Sequence, residues 1–219
     1  MRAILLAAGM GTRLRPLTLE TPKSLVKVNG KPMLETQIQF LRERGIDEII
    51  VVTGYLNEKF DYIKEKYGVK IIHNDKYDIY NNIYTMYLVR EYLEDSYVID
   101  ADVYLHENFI ESEMNKSSYF SAYKEGFKNE WILKFDDNKV EDIVVGDGEG
   151  YILSGVSYWS REDAKIIVKE LEKTLENEDF TNLYWDDIVK NNIKNLDIEI
   201  KKLKSNACFE RSEERRVGK

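Results

Sequence analysis

The stretch whose reading decides the fold is Arg2-Ala3-Ile4-Leu5-Leu6-Ala7-Ala8-Gly9-Met10-Gly11-Thr12-Arg13-Leu14-Arg15-Pro16-Leu17-Thr18, with Thr21-Pro22-Lys23 just beyond it. Its opening, residues 2–7, is nearly all apolar and reads as a strand covered on both faces. A loop through residue 31 follows, marked by Gly9, Gly11, Pro16, Pro22 and Gly30. Two familiar phosphate motifs fail in it. A dinucleotide fingerprint needs a third glycine where Leu14 stands, and a Walker A loop needs Ser or Thr after Gly30-Lys31, where Pro32 stands. What remains is a glycine loop that brings bare backbone N–H groups close to a phosphate chain. Arg13 can fork onto phosphate oxygens and Lys23 can add a point charge.

Working outward, strands and helices alternate. Residues 33–44 read as a helix that starts after Pro32 and stops at Gly45. Residues 48–53 form a β-branched buried strand. Residues 57–67 form a helix with Phe60, Ile63 and Tyr67 on one face and Gly68 as its stop. Strands at 69–73 and 97–100 flank a helix over 82–93. This order predicts an α/β fold, with a Rossmann-like, mostly parallel central sheet flanked by helices and wound by right-handed crossovers. Such sheets bind ligands at the carboxyl ends of their strands, where the glycine loop and the acidic turn after residue 100 both belong.

The second half changes character. Short strands at 117–123, 131–135, 140–145 and 152–158 are separated by the polar turns Asp136-Asp137-Asn138 and Gly146-Asp147-Gly148. They predict a small mixed β extension. Residues 161–175 carry Ala164, Ile167, Val168, Leu171 and Leu175 at helical spacing. A short helix at 184–193 and a strand at 196–203 complete the pattern. Residues 1–210 read as a single domain. Residues 211–219 form a charged tail without an apolar face, expected to pack poorly or to be non-native.

Composition narrows the chemistry. The 219 residues hold 40 acidic and 32 basic side chains, a net charge of −8, which disfavours a general nucleic-acid surface. Residues 1–31 run against that balance, with Arg2, Arg13, Arg15, Lys23, Lys27 and Lys31 against Glu20 alone. A small basic segment in an acidic chain suits a compact anion. No apolar run approaches membrane-spanning length, so no membrane insertion is expected. Cys208 is the only cysteine, which fits a reducing, cytoplasmic setting. With only His73 and His106 and no paired-cysteine motif, zinc is not expected.

The pattern Gly9-x-Gly11-Thr12-Arg13-x-x-Pro16-x-Thr18 with Pro22-Lys23 resembles the signature of the sugar-phosphate nucleotidyltransferases. Within that family the chain is most similar to bacterial CTP:phosphocholine cytidylyltransferases, from Met1 to about Glu210. The likeness includes Tyr80-Asn81-Asn82, Val98-Ile99-Asp100-Ala101-Asp102, Asn129-Glu130-Trp131, the run from Ile152 to Ser157, and Tyr184-Trp185-Asp186. The resemblance implies transfer of CMP from CTP to phosphocholine, giving CDP-choline and pyrophosphate, with Mg²⁺ as cofactor.

Elementary chemistry agrees with that. A phosphate monoester has a second pKa of about 6, so the acceptor oxygen is already ionised at neutral pH and needs no general base. The obstacle is bringing two anions together, which calls for cations and for carboxylates to hold a metal. Arg13 and Lys23 are the catalytic cations. Asp102, after a buried strand and aligned with the family's strand-end aspartate, is the first metal ligand. The resemblance, through the place after Trp185, implies Asp186 as the second, with Asp187 as alternative. Asp100, on the same side of the chain as Asp102, is a second group at the metal or a contact for the nucleotide sugar. By the resemblance, Ala8, Gly9, Gly11 and Thr12 line the nucleotide and Asn82 faces the base, unless it or Asn81 merely caps the helix beginning there.

A quaternary ammonium has no N–H to donate and is held by aromatic faces near a carboxylate. Tyr80, Glu130, Trp131 and Tyr184 are the candidate acceptor site; Trp159 and Trp185 lie in the same zone. Other acceptors remain open, namely 2-aminoethylphosphonate, phosphoethanolamine or a sugar 1-phosphate. So does a nucleotide-binding module without activity, against which the intact cations and aspartates argue. The sequence leaves the oligomeric state open.

Overall fold

The computed structural model describes residues 1–177 and 179–210. Strand β1 (Arg2–Ala7) lies between two parallel neighbours, β4 (Ile49–Thr53) and β6 (Ser96–Asp100), and β4 pairs in parallel with β5 (Lys70–His73). The unbroken apolar character of β1 follows from its neighbours. Ala3, Leu5 and Ala7 enter one core with Leu34, Ile38 and Leu41 of helix α1 (Met33–Glu43). Ile4 and Leu6 enter another with Ile83, Met86 and Val89 of α3 (Asn82–Val89). Alternate side chains of one strand thus serve two helical layers.

The predicted helix over 57–67 begins as a 3₁₀ turn, Asn57–Phe60, before α2 (Asp61–Tyr67), and Gly68 ends it at φ 59°. The loop after β1 contains a small hairpin, β2 (Lys27–Val28) with β3 (Lys31–Pro32). Beyond β6, β7 (Val103–Leu105) pairs antiparallel with the last described strand, β12 (Cys208–Glu210).

The predicted extension is continuous with the central sheet. An eight-stranded mixed sheet runs in the order β11-β9-β8-β10-β6-β1-β4-β5, where β8 is Ser117–Asp136, β9 Lys139–Tyr151, β10 Val156–Trp159 and β11 Ile198–Leu203. Strand β10 is antiparallel to β6, and β8 to β10. The two short strands expected at 117–123 and 131–135 are one strand of 20 residues. The intervening polar residues read as a turn by composition, yet they pair with β9 across two register shifts, with Gly126 at φ 68° and Asn129 at φ 55° taking up the irregularity. The predicted turn at Gly146-Asp147-Gly148 lies inside β9 for the same reason, whereas the chain does reverse at Asp137-Asn138.

Helix α4 (Arg161–Asn177) buries Ala164, Ile167 and Leu171 in the same core as α3. Helix α5 (Trp185–Asn191) adds Trp185, Ile188 and Val189 to it. The charged tail, 211–219, lies outside the described residues.

Candidate active site

The parallel register brings the site to one edge. Ala7 lies beside Thr53 and Leu6 beside Asp100, so the glycine loop and the acidic turn leave the sheet side by side. The Ala101 N–H donates to the Leu6 carbonyl at 3.0 Å and locks the two exits together. Within the loop Gly11 adopts φ 60°, and a Cβ there would stand 3.0 Å from Lys23 Cβ and 3.1 Å from Thr18 Cγ2. Glycine is therefore required on two counts. The Thr18 hydroxyl donates to the Gly11 carbonyl at 2.8 Å from a fully buried position. Ala8 is buried, while Thr12 and Arg13 are exposed in the 3₁₀ turn that follows.

Lys23 and Asp102 meet. The ammonium Nζ lies 2.6 Å from Asp102 Oδ2, with the lysine 8% and the aspartate 35% exposed. The turn carrying Asp100 and Asp102 is held from behind by Gln37, a fully buried residue of α1. Its Nε2 donates to the carbonyls of Asp100 at 3.0 Å and Val103 at 2.7 Å. Gly155 presses on the same turn. Its carbonyl accepts from the Asp100 N–H at 2.8 Å. At φ 76°, a Cβ there would fall 2.7 Å from Asp100 Oδ2.

Asp186 occupies the first turn of α5 and is half-buried against Tyr119, whose hydroxyl donates to Oδ1 at 3.0 Å. Burial pushes the carboxyl up to about 7, the Tyr119 hydrogen bond opposes this, and the neighbouring Asp187 adds to it. The Tyr119 phenol is pushed well above its ordinary value, by burial first and then by Asp186, with Asp100 contributing. Asp187 is committed elsewhere, since its Oδ2 accepts from the Tyr184 N–H at 2.8 Å and so caps α5.

Asn82 joins helices. Its Oδ1 accepts from the Trp185 N–H at 3.0 Å, and the Asn81 amide donates to the Asn182 carbonyl at 2.9 Å. Neither caps α3 through its side chain. The aromatic residues fall into three groups. Trp131 and Tyr184 meet edge-on at 6.2 Å, with Tyr184 46% exposed and the Lys190 ammonium 5.6 Å from the Trp131 ring. Tyr80 packs on Phe180 at 4.7 Å and Tyr84 at 5.3 Å. Trp159 and Trp185 are core residues, 5.4 Å apart, and Trp159 meets Tyr119 edge-on at 5.5 Å. Glu130 stands beside Trp131 in β8, opposite Gly146.

The donor set fits a hard divalent cation. It consists of carboxylates, and one oxygen of Asp102 already faces a positive charge at Lys23. Among the described residues no group of three or more His, Cys, Asp or Glu gathers. Two aspartates plus substrate phosphates is how Mg²⁺ is usually held. Sequence reasoning missed Gln37 and Tyr119. Gln37 left a signal, as a polar residue inside the apolar stripe Leu34, Ile38, Leu41; Tyr119 had none among fifteen tyrosines.

A mixed sheet whose parallel strands carry a cationic glycine loop and an aspartate turn at their carboxyl ends defines a nucleotide-handling α/β enzyme. The chain belongs to the nucleotidyl transferase family, whose model matches residues 2–202. Choline-phosphate cytidylyltransferase of Streptococcus pneumoniae is 54% identical over 96% of this chain and 92% of that protein. The 2-aminoethylphosphonate cytidylyltransferase of Lancefieldella rimae is 37% identical over 90% of this chain and 82% of that protein. A solved structure of CTP:phosphocholine cytidylyltransferase from Streptococcus pneumoniae superposes with a TM-score of 0.95 at 52% identity, covering 99% of this chain and 96% of that one.

Proposed function

We propose that this nucleotidyltransferase transfers CMP from CTP to phosphocholine, with residues 1–210 acting as one catalytic domain in the cytoplasm. The observation that carries the reading is the Lys23–Asp102 pair at the mouth of the glycine loop, with Asp186 hydrogen-bonded by Tyr119. The likeness to the pneumococcal enzyme supports the acceptor.

In the reaction a phosphate oxygen of phosphocholine forms a bond to the α-phosphorus of CTP. The bond from that phosphorus to the oxygen bridging to the β-phosphate breaks, and pyrophosphate leaves. The acceptor is already ionised, so the chain has no proton to remove. Its work is positioning and charge neutralisation. Backbone N–H groups around Gly9, Gly11 and Thr12 line the triphosphate, Arg13 grips it, and Lys23 stands where negative charge grows on the leaving pyrophosphate. Ala8 and Asn82 border the base, and Asp100 the sugar. Mg²⁺ would be held by Asp102 and Asp186 and would supply further neutralisation of the phosphates. Burial of Asp186 makes an uncompensated carboxylate costly, which favours a cation beside it.

For the acceptor, the Trp131–Tyr184 pair offers the ring faces. Glu130, the preceding residue of the regular strand, points to the opposite face of the sheet, and Tyr80 belongs to a separate ring group with Phe180 and Tyr84. A cation, Lys190, already sits at the Trp131 ring. The deciding experiment is pyrophosphate release from CTP with phosphocholine, phosphoethanolamine, 2-aminoethylphosphonate and glucose 1-phosphate side by side. Phosphocholine should give the highest kcat/KM. A preference for 2-aminoethylphosphonate would move the chain to that activity, and a preference for the sugar phosphate would end the choline reading.

A further inference from the structure

The basic N-terminal segment is only partly used by the catalytic edge, which takes Arg13 and Lys23. Lys27 and Lys31, on the two strands of the β2–β3 hairpin, line a different cavity of about 640 Å³. Lys66 of α2 lines its other side, with Glu35, Tyr62 and Tyr67. None of these residues is in the proposed catalytic set.

The chemistry of this cavity suits an anion with an aromatic part. Glu35, buried at its base, is saturated. It accepts from Tyr62 Oη at 3.0 Å, Lys66 Nζ at 2.7 Å and Tyr67 Oη at 2.5 Å. Its charge is spent on holding Lys66 and both phenols in place. Lys31 bonds to Gln39. An ammonium has three N–H donors, so one such bond leaves others for a ligand. Three lysines and one carboxylate line the cavity, with Glu43 acting on Lys31 from outside it. The Tyr67 ring is covered by Lys66 at 5.1 Å and Arg42 at 5.6 Å, whereas Tyr62 is 39% exposed and offers a face to a flat ring. The volume is that of a site for a nucleotide-sized molecule.

We infer that the cavity between the β2–β3 hairpin and α2 is a second nucleoside polyphosphate site, with Lys27, Lys31 and Lys66 on the phosphates and Tyr62 under the base. Stacking on one ring tolerates any base. The site is placed to sense or bias the catalytic pair. Lys27 follows Lys23 by one turn of chain, and at the hairpin tip the Asn29 amide donates to the Tyr104 hydroxyl at 3.3 Å, two residues past Asp102. A ligand bridging hairpin and α2 stiffens the segment that joins Lys23 to Asp102.

The test is ATP binding to the full chain by calorimetry, using Arg13→Ala to disable the catalytic grip. Arg13→Ala should still bind one ATP. Adding Lys27→Ala and Lys31→Ala should weaken that binding by about tenfold or more, as expected for lost charge-assisted bonds, with Tm unchanged. Tyr62→Ala should weaken ATP but not inorganic tripolyphosphate. Pyrophosphate release measured in parallel checks that Arg13→Ala has lost turnover, which keeps a failure of the catalytic reading distinct. No ATP binding by Arg13→Ala, or binding indifferent to Lys27 and Lys31, overturns the site. Tripolyphosphate binding as tightly as ATP overturns the nucleotide assignment.

Discussion

Lys23 and Asp102, 79 positions apart in the chain, form a 2.6 Å ion pair that joins the end of the glycine loop to the turn after β6. The lysine is buried, so the pair is not a surface ion pair of negligible worth. Each partner also holds the other at the mouth of the glycine loop, the proposed phosphate site. Asp102→Asn keeps an oxygen that can accept from Lys23 but removes the charge. Turnover should fall by roughly two orders of magnitude or more, as for other lost electrostatic groups. Pyrophosphate release measures this, and circular dichroism should show an intact fold; near-normal activity would remove Asp102 from the metal site.

Asp186 carries an opposite trade. Its burial disfavours the charged form, so without a cation the carboxylate costs stability at neutral pH. Asp186→Asn keeps an acceptor for Tyr119 and removes that cost. The variant should melt several degrees higher than wild type in chelator, lose turnover, and gain less from added Mg²⁺. Thermal melts with and without Mg²⁺ decide it; an unchanged Mg²⁺ increment would place the metal elsewhere.

Gln37→Leu tests the support behind the aspartate turn. Leucine fits an apolar helix stripe, yet it leaves the carbonyls of Asp100 and Val103 without the donors at 3.0 and 2.7 Å. A cost of about 2 kcal/mol is expected for such unsatisfied groups. Urea unfolding reads the stability, and kcat should fall more than the change in CTP affinity accounts for.

Trp131→Ala should raise KM for phosphocholine about tenfold or more while KM for CTP holds. The ring is a cation acceptor partly stripped of water, where such a contact is worth up to about 2 kcal/mol. Trp131→Phe should recover part of the loss. Equal effects on both substrates would point to a folding defect.

Glu35 predicts an acid-side dependence. Burial raises its carboxyl, but the bonds from Lys66, Tyr67 and Tyr62 outweigh this and hold it below the usual range. The native state thus binds this proton less readily than the unfolded chain. Its contribution is present above the unfolded value, about 4.3, and is lost as pH falls through the native value. Glu35→Gln should flatten the fall in Tm between about pH 5 and pH 3. A curve parallel to wild type would contradict it.

Much of the parallel half was legible before any coordinates. The apolar runs at β1 and β4 and the glycine stops after α1 and α2 encode their elements locally. The same holds for the glycine loop, because Gly9, Gly11, Arg13 and Lys23 carry their chemistry in residue type. The β8–β9 ribbon was less legible, since turn-like composition at 124–130 and 146–150 yields to cross-strand pairing that only the partner strand supplies.

The sequence by itself determined that a cationic glycine loop and an aspartate-ended strand share one edge of a wound sheet. Only the tertiary structure decided which distant groups meet: Lys23 with Asp102, Gln37 with the turn, and Tyr119 with Asp186. It also separated Trp159 and Trp185, which fill the core, from the partly buried Trp131 and the exposed Tyr184. The reason is physical. Strand and helix propensity act over a few residues, whereas burial and pairing depend on register and packing between segments far apart in the chain.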